Sequence, residues 1–323
     1  MTTMSKFKVY VTDQRQPSFE IERKILRECD AELVLCNCVT SEDISRECAD
    51  ADAILLDLAP MDAKAIHSLE KCRVISRYGV GVDNVDLKAA ETCHIRVTNV
   101  PDYCMEDVSD HALALLLACL RNVVLRDREI RMGHWNIQAP GYRLQGKTLG
   151  VIGAGRIARA LVRKVSGFGF REIVACDPFL TAEQLAEYGM RKVEFSELLA
   201  VSDFVSLHLN LTDQTRGIID AHALSQMKKS AILINVSRGG LIDADALLNA
   251  LQNNTILCAG LDTHCTEPVP MDSGFMTLDN VVMTDHSAYN TVEGVTELKT
   301  KAAKNIAAVL RGEEPAYPVV SVR

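Results

Sequence analysis

Residues that can bind anions or transfer protons follow six successive apolar segments in the second half of the chain. They are Gly153 with Gly155, Asp177, His208, Ser237 with Arg238, the group Asp262, His264 and Glu267, and Asp285 with His286. In an open parallel sheet the carboxyl ends of the strands lie along one edge, and ligands bind there. The sequence therefore predicts one site at which an anion is held beside acid–base groups.

A glycine pattern typical of a dinucleotide-binding turn opens this series. Gly153-x-Gly155-x-x-Ala158 follows the apolar segment Thr148–Ile152 and begins a helical stretch. Gly153 allows a tight turn, Gly155 lets the backbone approach a pyrophosphate, and the small Ala158 lets the helix pack on the sheet. The N–H groups at the helix start would bind the phosphates. A plain strand–turn–helix connection also uses glycine, so this interpretation depends on the residues around it.

Asp177 strengthens the interpretation and selects the cofactor. It follows the next apolar segment, 22 residues after Gly155, where a carboxylate can accept hydrogen bonds from both ribose hydroxyls of NAD. It would repel the 2′-phosphate of NADP, since two unit charges ~5 Å apart at an effective dielectric of ~20 repel by roughly 3 kcal/mol. No Arg or Lys occurs in the dozen residues after Asp177. We expect NAD rather than NADP; a solvated Asp at a strand end is the alternative.

Three of the remaining residues meet the needs of reducing a 2-oxo acid. Arg238 can hold the substrate carboxylate with two parallel hydrogen bonds, which a Lys would do poorly. His286 can give a proton to the carbonyl oxygen as hydride reaches C2, and it acts as the base in the reverse direction. Glu267 beside the imidazole would favour the imidazolium and orient it. The hydride itself would come from the nicotinamide.

Other roles for these residues stay open. His264 lies close to Glu267 in sequence and competes with His286 as the acid, and a single His at a strand end is often structural. Asp262, His264, Glu267 and His286 could instead hold a metal ion, but their spacing matches no compact zinc pattern, and no metal is predicted. A Ser or Cys nucleophile lacks a supporting Gly-x-Ser-x-Gly motif.

Short apolar segments alternate with helical stretches along all 323 residues, which predicts an α/β protein with parallel sheets. The expected strands are Phe7–Val11, Leu33–Cys36, Ala53–Leu56, Val74–Ser76, Ile95–Val97, Thr148–Ile152, Ile173–Cys176, Phe204–His208, Ala231–Val236, Ile256–Leu261 and Val281–Thr284. The expected crossover helices include Arg156–Gly167, Ala182–Tyr188 and Ala244–Gln252.

Two long helices, from about Met105 to about Arg131 and from Val292 to Leu310, are expected to connect two domains. We predict two Rossmann-like, doubly wound parallel-sheet domains. The outer one is discontinuous and flavodoxin-like, comprises residues 1–100 and 289–323, and binds the substrate. The inner one, residues 101–288, is a Rossmann domain that binds NAD. A ligand would be enclosed in the cleft between them.

Composition excludes several classes of protein. A formal net charge of −8 argues against nucleic-acid binding, which needs a basic face. The longest apolar stretch, Ala112 to Leu120, is too short to cross a bilayer. Met1 to Lys8 lacks the apolar core of a signal peptide, and the eleven cysteines are dispersed without a Cys-x-x-Cys pair. A cytoplasmic location with reduced thiols is therefore expected.

Several separated motifs resemble the D-isomer-specific 2-hydroxyacid dehydrogenase family, which includes 3-phosphoglycerate dehydrogenase, glyoxylate/hydroxypyruvate reductase and the C-terminal-binding proteins. The motifs are Arg77-Tyr-Gly-Val-Gly-Val-Asp-Asn84, Gly150–Ala158, Ile234-Asn-Val-Ser-Arg238-Gly-Gly, Leu261-Asp-Thr-His-Cys-Thr-Glu267-Pro and Asp285-His286. The resemblance covers almost the whole chain and places the family's catalytic Arg, Glu and His on Arg238, Glu267 and His286.

The resemblance also implies an (R)-product and a homodimer joined through the NAD-binding domains, with an arm near Trp135. It implies that Asp262 meets the nicotinamide carboxamide. The further cofactor contacts that it implies are Gly153, Gly155, Arg156, Ile157, Asp177, His208, Thr215, Val236, Ser237 and His286.

The loop Tyr78-Gly79-Val80-Gly81-Val82 is predicted to bind the substrate, because its N–H groups at 79–81 could bind a carboxylate opposite Arg238. Arg77 and Tyr289 occupy positions where C-terminal-binding proteins carry pocket residues. The segment Asp57–Met61 lacks the cation that a phosphorylated substrate would need.

Asn210 and Met105 depart from the usual Pro and Thr of the family, and Ala158 replaces its third Gly. Glyoxylate or hydroxypyruvate, 3-phosphohydroxypyruvate and an apolar 2-oxo acid stay open as substrates, and an NADH-sensing scaffold is the alternative from another class.

Overall fold

The computed structural model describes residues 6–14, 17–135 and 138–321, and these divide into two compact units. The first combines the described residues of Met1–Cys104 and Thr291–Arg323, and the second comprises Met105–Asn290. The units change over at 104/105 and 290/291, a few residues from the predicted boundaries at 100 and 289. Each unit contains its own sheet.

The first unit contains a six-stranded sheet in the order β13-β5-β4-β3-β1-β2. Its strands are β1 (Phe7–Val11), β2 (Ala31–Leu35), β3 (Ala53–Leu56), β4 (Val74–Arg77), β5 (Arg96–Thr98) and β13 (Pro318–Val320). Its helices are α1 (Glu20–Arg27), α2 (Ser41–Glu47), α3 (Ala63–His67), α4 (Leu87–Thr92) and α12 (Val292–Leu310). All neighbours are parallel except β13, which pairs antiparallel with β5.

Side-chain caps explain where several of these helices begin. Thr40, Asp62, Asp86 and Thr291 each accept a hydrogen bond from the backbone N–H three residues later. This bond satisfies one of the donors that a helix start leaves without an intrahelical partner. The short helices therefore start at positions that the sequence itself specifies.

The second unit contains a seven-stranded parallel sheet in the order β12-β11-β10-β9-β6-β7-β8. Its strands are β6 (Thr148–Ile152), β7 (Glu172–Cys176), β8 (Arg191–Lys192), β9 (Phe204–Leu207), β10 (Ile232–Asn235), β11 (Cys258–Leu261) and β12 (Val281–Met283). Its α-helices are α5 (Met105–Arg121), α6 (Val123–Arg131), α7 (Arg156–Lys164), α8 (Ala182–Ala186), α9 (Phe195–Val201), α10 (Ala221–Gln226) and α11 (Ala244–Gln252). Three 3₁₀ turns are formed by Val165–Gly167, Gly239–Leu241 and Gly274–Thr277.

The strand order reverses between β6 and β9, because β7 follows on one side of β6 and β9 returns to the other. Such a switch point opens a crevice at the carboxyl ends of the strands. Four central strands, β6, β9, β10 and β11, are fully buried, as their continuous apolar segments predict.

The prediction that the segment from about Met105 to about Arg131 is a single helix is wrong. The segment forms two helices that meet at Asn122, whose φ of 52° is left-handed, and their axes bend by 62°. Asn122 donates to the carbonyls of Ala139 and Pro140, so a later segment fixes the break.

The short strands β8 and β13 were not expected from the sequence, and half of the other strand ends differ from the predicted ones by one or two residues. Among the described residues, no single helix is long and apolar enough to span a membrane; only the bent α5–α6 pair together meets that length and composition.

Candidate active site

The turn after β6 has the geometry of a phosphate-binding loop. Gly153 has φ +84°, and a Cβ there would lie 2.7 Å from the carbonyl oxygen of His208, which belongs to the neighbouring strand end. Gly155 caps α7 without a side-chain hydrogen bond, and a Cβ on it would meet open space. Ala158 is fully buried against the sheet. These observations fit a dinucleotide whose pyrophosphate lies on the first N–H groups of α7.

Asp177 is tied into the same turn. Its Oδ2 accepts a hydrogen bond from the N–H of Ala154 at 2.8 Å, and its Oδ1 accepts one from the N–H of Phe179 at 2.9 Å. Each carboxylate oxygen can accept a second bond, so both can still receive a ribose hydroxyl.

Arg159 of α7 is a cation near this turn that the sequence analysis missed. Its Nε donates to the carbonyl of Ala154 at 2.9 Å, and its guanidinium stacks over Tyr188 at 4.2 Å. Arg159 precedes Asp177 by 18 residues, whereas the preference for NAD was predicted from the residues that follow Asp177.

His208 follows β9 and is neutral at pH 7. Its Nε2 pairs with the hydroxyl of Ser206 at 2.9 Å, and its Nδ1 is buried without a hydrogen-bond partner among the described residues. Burial lowers the pKa of His208 to about 4. This ring can contact a cofactor as an uncharged group.

Asn235, the last residue of β10, braces the turn that carries Ser237 and Arg238. Its Oδ1 accepts from the N–H of Ser237 at 3.1 Å, and its Nδ2 donates to the carbonyl of Arg238 at 2.9 Å. The hydroxyl of Ser237 donates to the carbonyl of Leu207 on the neighbouring strand at 2.8 Å. The sequence analysis did not single out Asn235, because its role depends on where the following turn folds back.

His286 and Glu267, which the sequence predicts to act as an acid–base pair, lie within hydrogen-bond distance of each other. The Nδ1 of His286 lies 2.8 Å from Oε2 of Glu267, while Oε1 of Glu267 accepts from the N–H of His264 at 2.9 Å. Burial opposes the ionisation of Glu267, but the hydrogen bonds from His286 and the His264 backbone lower the pKa of its carboxyl. Glu267 is therefore a carboxylate at pH 7, and it fixes the orientation of the imidazole.

His264, the competing candidate for the acid, uses one of its ring nitrogens in a contact with the backbone. Its Nε2 lies 2.9 Å from the carbonyl oxygen of Thr284, to which it donates. The ring thus ties the loop that carries Glu267 to the end of β12, two residues before His286.

Asp262 holds the backbone of His286 in place. His286 has φ +55°, a left-handed conformation, and its N–H donates to the carbonyl of Asp262 at 2.8 Å. The Asp262 carboxylate accepts from the N–H groups of Ser287 at 2.9 Å and Ala288 at 3.1 Å, and from the hydroxyl of Thr284 at 2.6 Å. Its predicted contact with a nicotinamide carboxamide stays a prediction.

His111 on α5 completes this network, and the sequence had not predicted its role. Its Nε2 lies 2.9 Å from the hydroxyl of Thr284 and 3.4 Å from Oδ1 of Asp262. Although burial favours the neutral acid, the hydrogen bonds from His111, Thr284 and two backbone N–H groups lower the pKa of Asp262 to about 2. An imidazole on a helix that ends 141 residues before Asp262 offered no local sequence signal.

Gly239 packs directly against the loop of Glu267. A Cβ at position 239 would lie 2.0 Å from the carbonyl carbon of His264 and 2.4 Å from the nitrogen of Cys265. The thiol of Cys265 also donates to the carbonyl of Gly239 at 3.3 Å. The turn after β10 and the loop after β11 are therefore in backbone contact.

In the first unit, the loop after β4 presents two N–H groups. The carbonyl of Gly79 accepts from Val100 N at 2.8 Å, and the carbonyl of Val80 accepts from Asn99 Nδ2 at 2.6 Å. Because C=O and N–H point in opposite directions across a planar trans peptide, the N–H groups of Val80 and Gly81 point away from these partners. In the described part of the chain these two N–H groups donate to no acceptor.

The N–H of Gly79, also predicted to bind the substrate, is bonded in this structure to the carbonyl of Arg77 at 3.0 Å, and its substrate contact stays a prediction. Gly79 has φ +143°, and a Cβ on it would lie 1.4 Å from Nη1 of Arg77, so the guanidinium lies across the glycine. Arg77 is therefore part of the same loop surface.

The contacts of the other predicted residues say less about their roles in the site. Tyr289 lies edge-on to the ring of His286, with centroids 6.4 Å apart. The hydroxyl of Thr215 donates to the carbonyl of Asn210 at 2.7 Å and orders the loop after β9. Val236 is buried, and Ile157 is half-buried in the first turn of α7. Arg77 and residues 79–81 belong to the first unit, and all the other predicted site residues belong to the second.

Comparisons with known proteins agree with this geometry. Residues 113–288 match the family model described as D-isomer specific 2-hydroxyacid dehydrogenase, NAD binding domain. The chain is 40% identical over 272 residues to a glyoxylate reductase of Korarchaeum cryptofilum, covering 82% of each protein. It is 38% identical over 309 residues to a D-3-phosphoglycerate dehydrogenase of Methanocaldococcus jannaschii, covering 95% of this chain but 58% of that one. A solved D-lactate dehydrogenase from Aquifex aeolicus, complexed with NAD and lactic acid, superposes with a TM-score of 0.86 at 25% identity, covering 97% of this chain and 99% of that one.

Proposed function

Since this chain belongs to the D-isomer specific 2-hydroxyacid dehydrogenase family, whose members are NAD-dependent oxidoreductases, we propose that it reduces a small, unphosphorylated 2-oxo acid to the (R)-2-hydroxy acid. The catalytic residues in this proposal are Arg238, Glu267 and His286. The observation that carries it is the 2.8 Å contact between Glu267 and His286 on a backbone that Asp262 holds in place.

The proton in this reaction moves at one nitrogen of His286. Its Nδ1 is engaged by Glu267, so Nε2 is the atom that exchanges a proton with the oxygen on C2 of the substrate. Bound NAD would supply or accept the hydride. The residues that would hold it are those of the glycine turn, with Asp177 on the ribose. The protein itself orients the imidazole, keeps Glu267 ionised and offers a neutral His208.

The guanidinium of Arg238 would bind the substrate carboxylate. In the first unit, the N–H groups of Val80 and Gly81 are the proposed anion-binding groups. Arg238 sits on the turn braced by Asn235, and Arg77 adds a second guanidinium beside the loop of the first unit. A planar carboxylate matches the paired donors of a guanidinium, which favours Arg over Lys at this position.

A neighbouring loop of the first unit supports an unphosphorylated substrate. The carboxylate of Asp13 accepts from the N–H groups of Asp57 and Ala59, both at 3.3 Å, so an acid organises the segment after β3. Such a loop disfavours a substrate with an additional phosphate. Similarity to a glyoxylate reductase over 82% of its length supports a small substrate such as glyoxylate.

A homodimer joined through the second unit and a cytoplasmic location are also part of this proposal. Large apolar side chains are exposed on and after α6, and Trp135 is 79% exposed. Several exposed large apolar side chains within one stretch of sequence fit a protein interface. All eleven cysteines are free thiols, which fits a reducing compartment. Light scattering of the purified protein would show twice the chain mass; a monomer at micromolar concentration would contradict the dimer.

Oxidation of NADH across a panel of 2-oxo acids tests the function. We expect turnover of glyoxylate and hydroxypyruvate, with 3-phosphohydroxypyruvate a poorer substrate. Chiral analysis of the product should show the (R) form when the substrate creates a stereocentre. Binding of NADH with no turnover of any 2-oxo acid would contradict the enzyme and favour a scaffold.

A further inference from the structure

Three ionisable side chains of the first unit, none of them among the predicted site residues, are buried together. Glu22 of α1 is 0% exposed, Tyr78 at the end of β4 is 3% exposed, and Lys299 of α12 is 5% exposed. The hydroxyl of Tyr78 donates to Oε1 of Glu22 at 2.9 Å, and Nζ of Lys299 lies 3.6 Å from Oε2 of the same carboxylate. Lys299 also donates to the carbonyl of Ser18.

A buried ionisable group of this kind adds little net stability to a fold. Removing two charges from water costs several kcal/mol each in general, and apolar side chains of similar volume are often as stable or more stable. Burial raises the pKa of Glu22, and the nearby Lys299 opposes that rise. Their contacts tie the end of β4 to α1 and α12.

The geometry that they fix is the start of the loop after β4. Tyr78 directly precedes Gly79, and its own N–H donates to the carbonyl of Leu56 at 2.8 Å, so backbone and side chain are both held. From Tyr78 onward the carbonyls of Gly79 and Val80 are bonded to residues 100 and 99. The N–H groups of Val80 and Gly81 must then point to the opposite side.

We propose that Glu22 and Lys299 are positioning residues that act through the Tyr78 hydroxyl to aim the N–H groups of Val80 and Gly81 at the substrate carboxylate. This inference rests on the proposed function, because it assigns the loop to a 2-oxo acid. It predicts an effect on the affinity for the oxo acid and none on the affinity for NADH, whose proposed site lies wholly in the second unit.

Tyr78→Phe is the informative variant, and Tyr10→Phe is its matched control. Tyr10 is also buried in the first unit, and its hydroxyl donates to Oδ1 of Asp50 at 2.7 Å, away from the loop. Both changes delete one hydroxyl that is bonded to a carboxylate. We expect Tyr78→Phe to raise KM for glyoxylate about tenfold, the typical size for a hydrogen bond to a charged group. In Tyr78→Phe, kcat and the Kd of NADH should be unchanged. Tyr10→Phe should leave KM for glyoxylate and the Kd of NADH unchanged.

A second variant separates positioning from stability. In Glu22→Leu/Tyr78→Phe/Lys299→Met the buried polar group becomes apolar, so the protein should unfold at the wild-type temperature or above it, yet KM for glyoxylate should rise at least as far as in Tyr78→Phe. A wild-type KM in this variant or in Tyr78→Phe would overturn the inference.

Calorimetric titration of the NADH complex with oxamate, a carboxylate that is not reduced, distinguishes this inference from the proposed function. If the wild type binds oxamate and Tyr78→Phe binds it about tenfold more weakly, the positioning role holds even where no 2-oxo acid is turned over. Turnover by the wild type with an unchanged Tyr78→Phe overturns the inference alone. Absence of oxamate binding by the wild type overturns both.

Discussion

Gly239→Ala should disable the enzyme by moving Glu267, although residue 239 itself does no chemistry. The added Cβ would lie 2.0 Å from the carbonyl carbon of His264, and contacts become ordinary only at 3.4 Å. The loop must therefore retreat by about 1.4 Å (3.4 − 2.0), and the atoms that it meets are backbone and cannot rotate aside. Oε1 of Glu267 is hydrogen-bonded to the N–H of that same His264, so the carboxylate moves with it.

We expect kcat for glyoxylate to fall about 10²-fold, the typical cost of a 1 Å misplacement of a catalytic group. Overpacking should cost about 1–3 kcal/mol of unfolding free energy, less the ~0.4–1 kcal/mol that any Gly→Ala change gains from a less flexible unfolded chain. Steady-state kinetics and urea unfolding measure the two effects separately.

Gly240→Ala is the control for this experiment, since it is the next residue and receives the same added methyl group. Its Cβ would approach the ends of two flexible side chains, Leu211 at 3.0 Å and Nη1 of Arg216 at 3.3 Å, and both can move aside. Activity should stay within about threefold of wild type. The reasoning is refuted if Gly239→Ala keeps more than about a third of the wild-type kcat, or if the two variants lose activity equally.

Four further outcomes follow from the site. His286→Asn should lower kcat by about 10²–10⁴-fold while NADH still binds in a fluorescence titration, and near-normal turnover would remove His286 from the mechanism. Arg238→Lys should raise KM for the 2-oxo acid about tenfold or more, and an unchanged KM would count against the guanidinium clamp. NADH should be used about 10²-fold more efficiently than NADPH because of Asp177, so equal efficiencies would contradict that role. The Asp262 carboxyl, with its pKa lowered from 3.8 to about 2 and its side chain 1% exposed, stabilises the folded state above its unfolded pKa and loses that contribution as the pH falls toward 2. Urea unfolding should therefore show the advantage of wild type over Asp262→Asn shrinking by about 2 kcal/mol between about pH 5 and about pH 2, and a constant difference would contradict this origin of the pKa.

The fold class, and the pairing of Glu267 with His286, could be predicted from the sequence because their signals are local. An apolar segment that ends in a polar residue marks a strand end, and a parallel sheet brings its strand ends to one edge. Gly153 is a similar case, since a tight turn with positive φ leaves few choices of residue.

The rest depends on contacts between distant segments, which no local pattern records. The break at Asn122 lies between two stretches of good helix formers, and it forms because Asn122 and the carbonyl of Leu120 bond to residues 139–142. His111 and Arg159 likewise carry no signal on their own helices. Their roles come from the strand ends and turns that they meet in the folded chain.

The left-handed backbone at His286 limits which residues this position can accept without strain. Among residues other than glycine, Asn, Asp and His are the types enriched at such angles, whereas β-branched or bulky residues are strained there. An alanine or valine scan of this position would therefore mix a folding defect with the loss of the proton donor. Exchange of His286 for Asn would keep this backbone conformation and remove the proposed proton donor. One substitution would then convert the enzyme into a binding protein with little loss of stability.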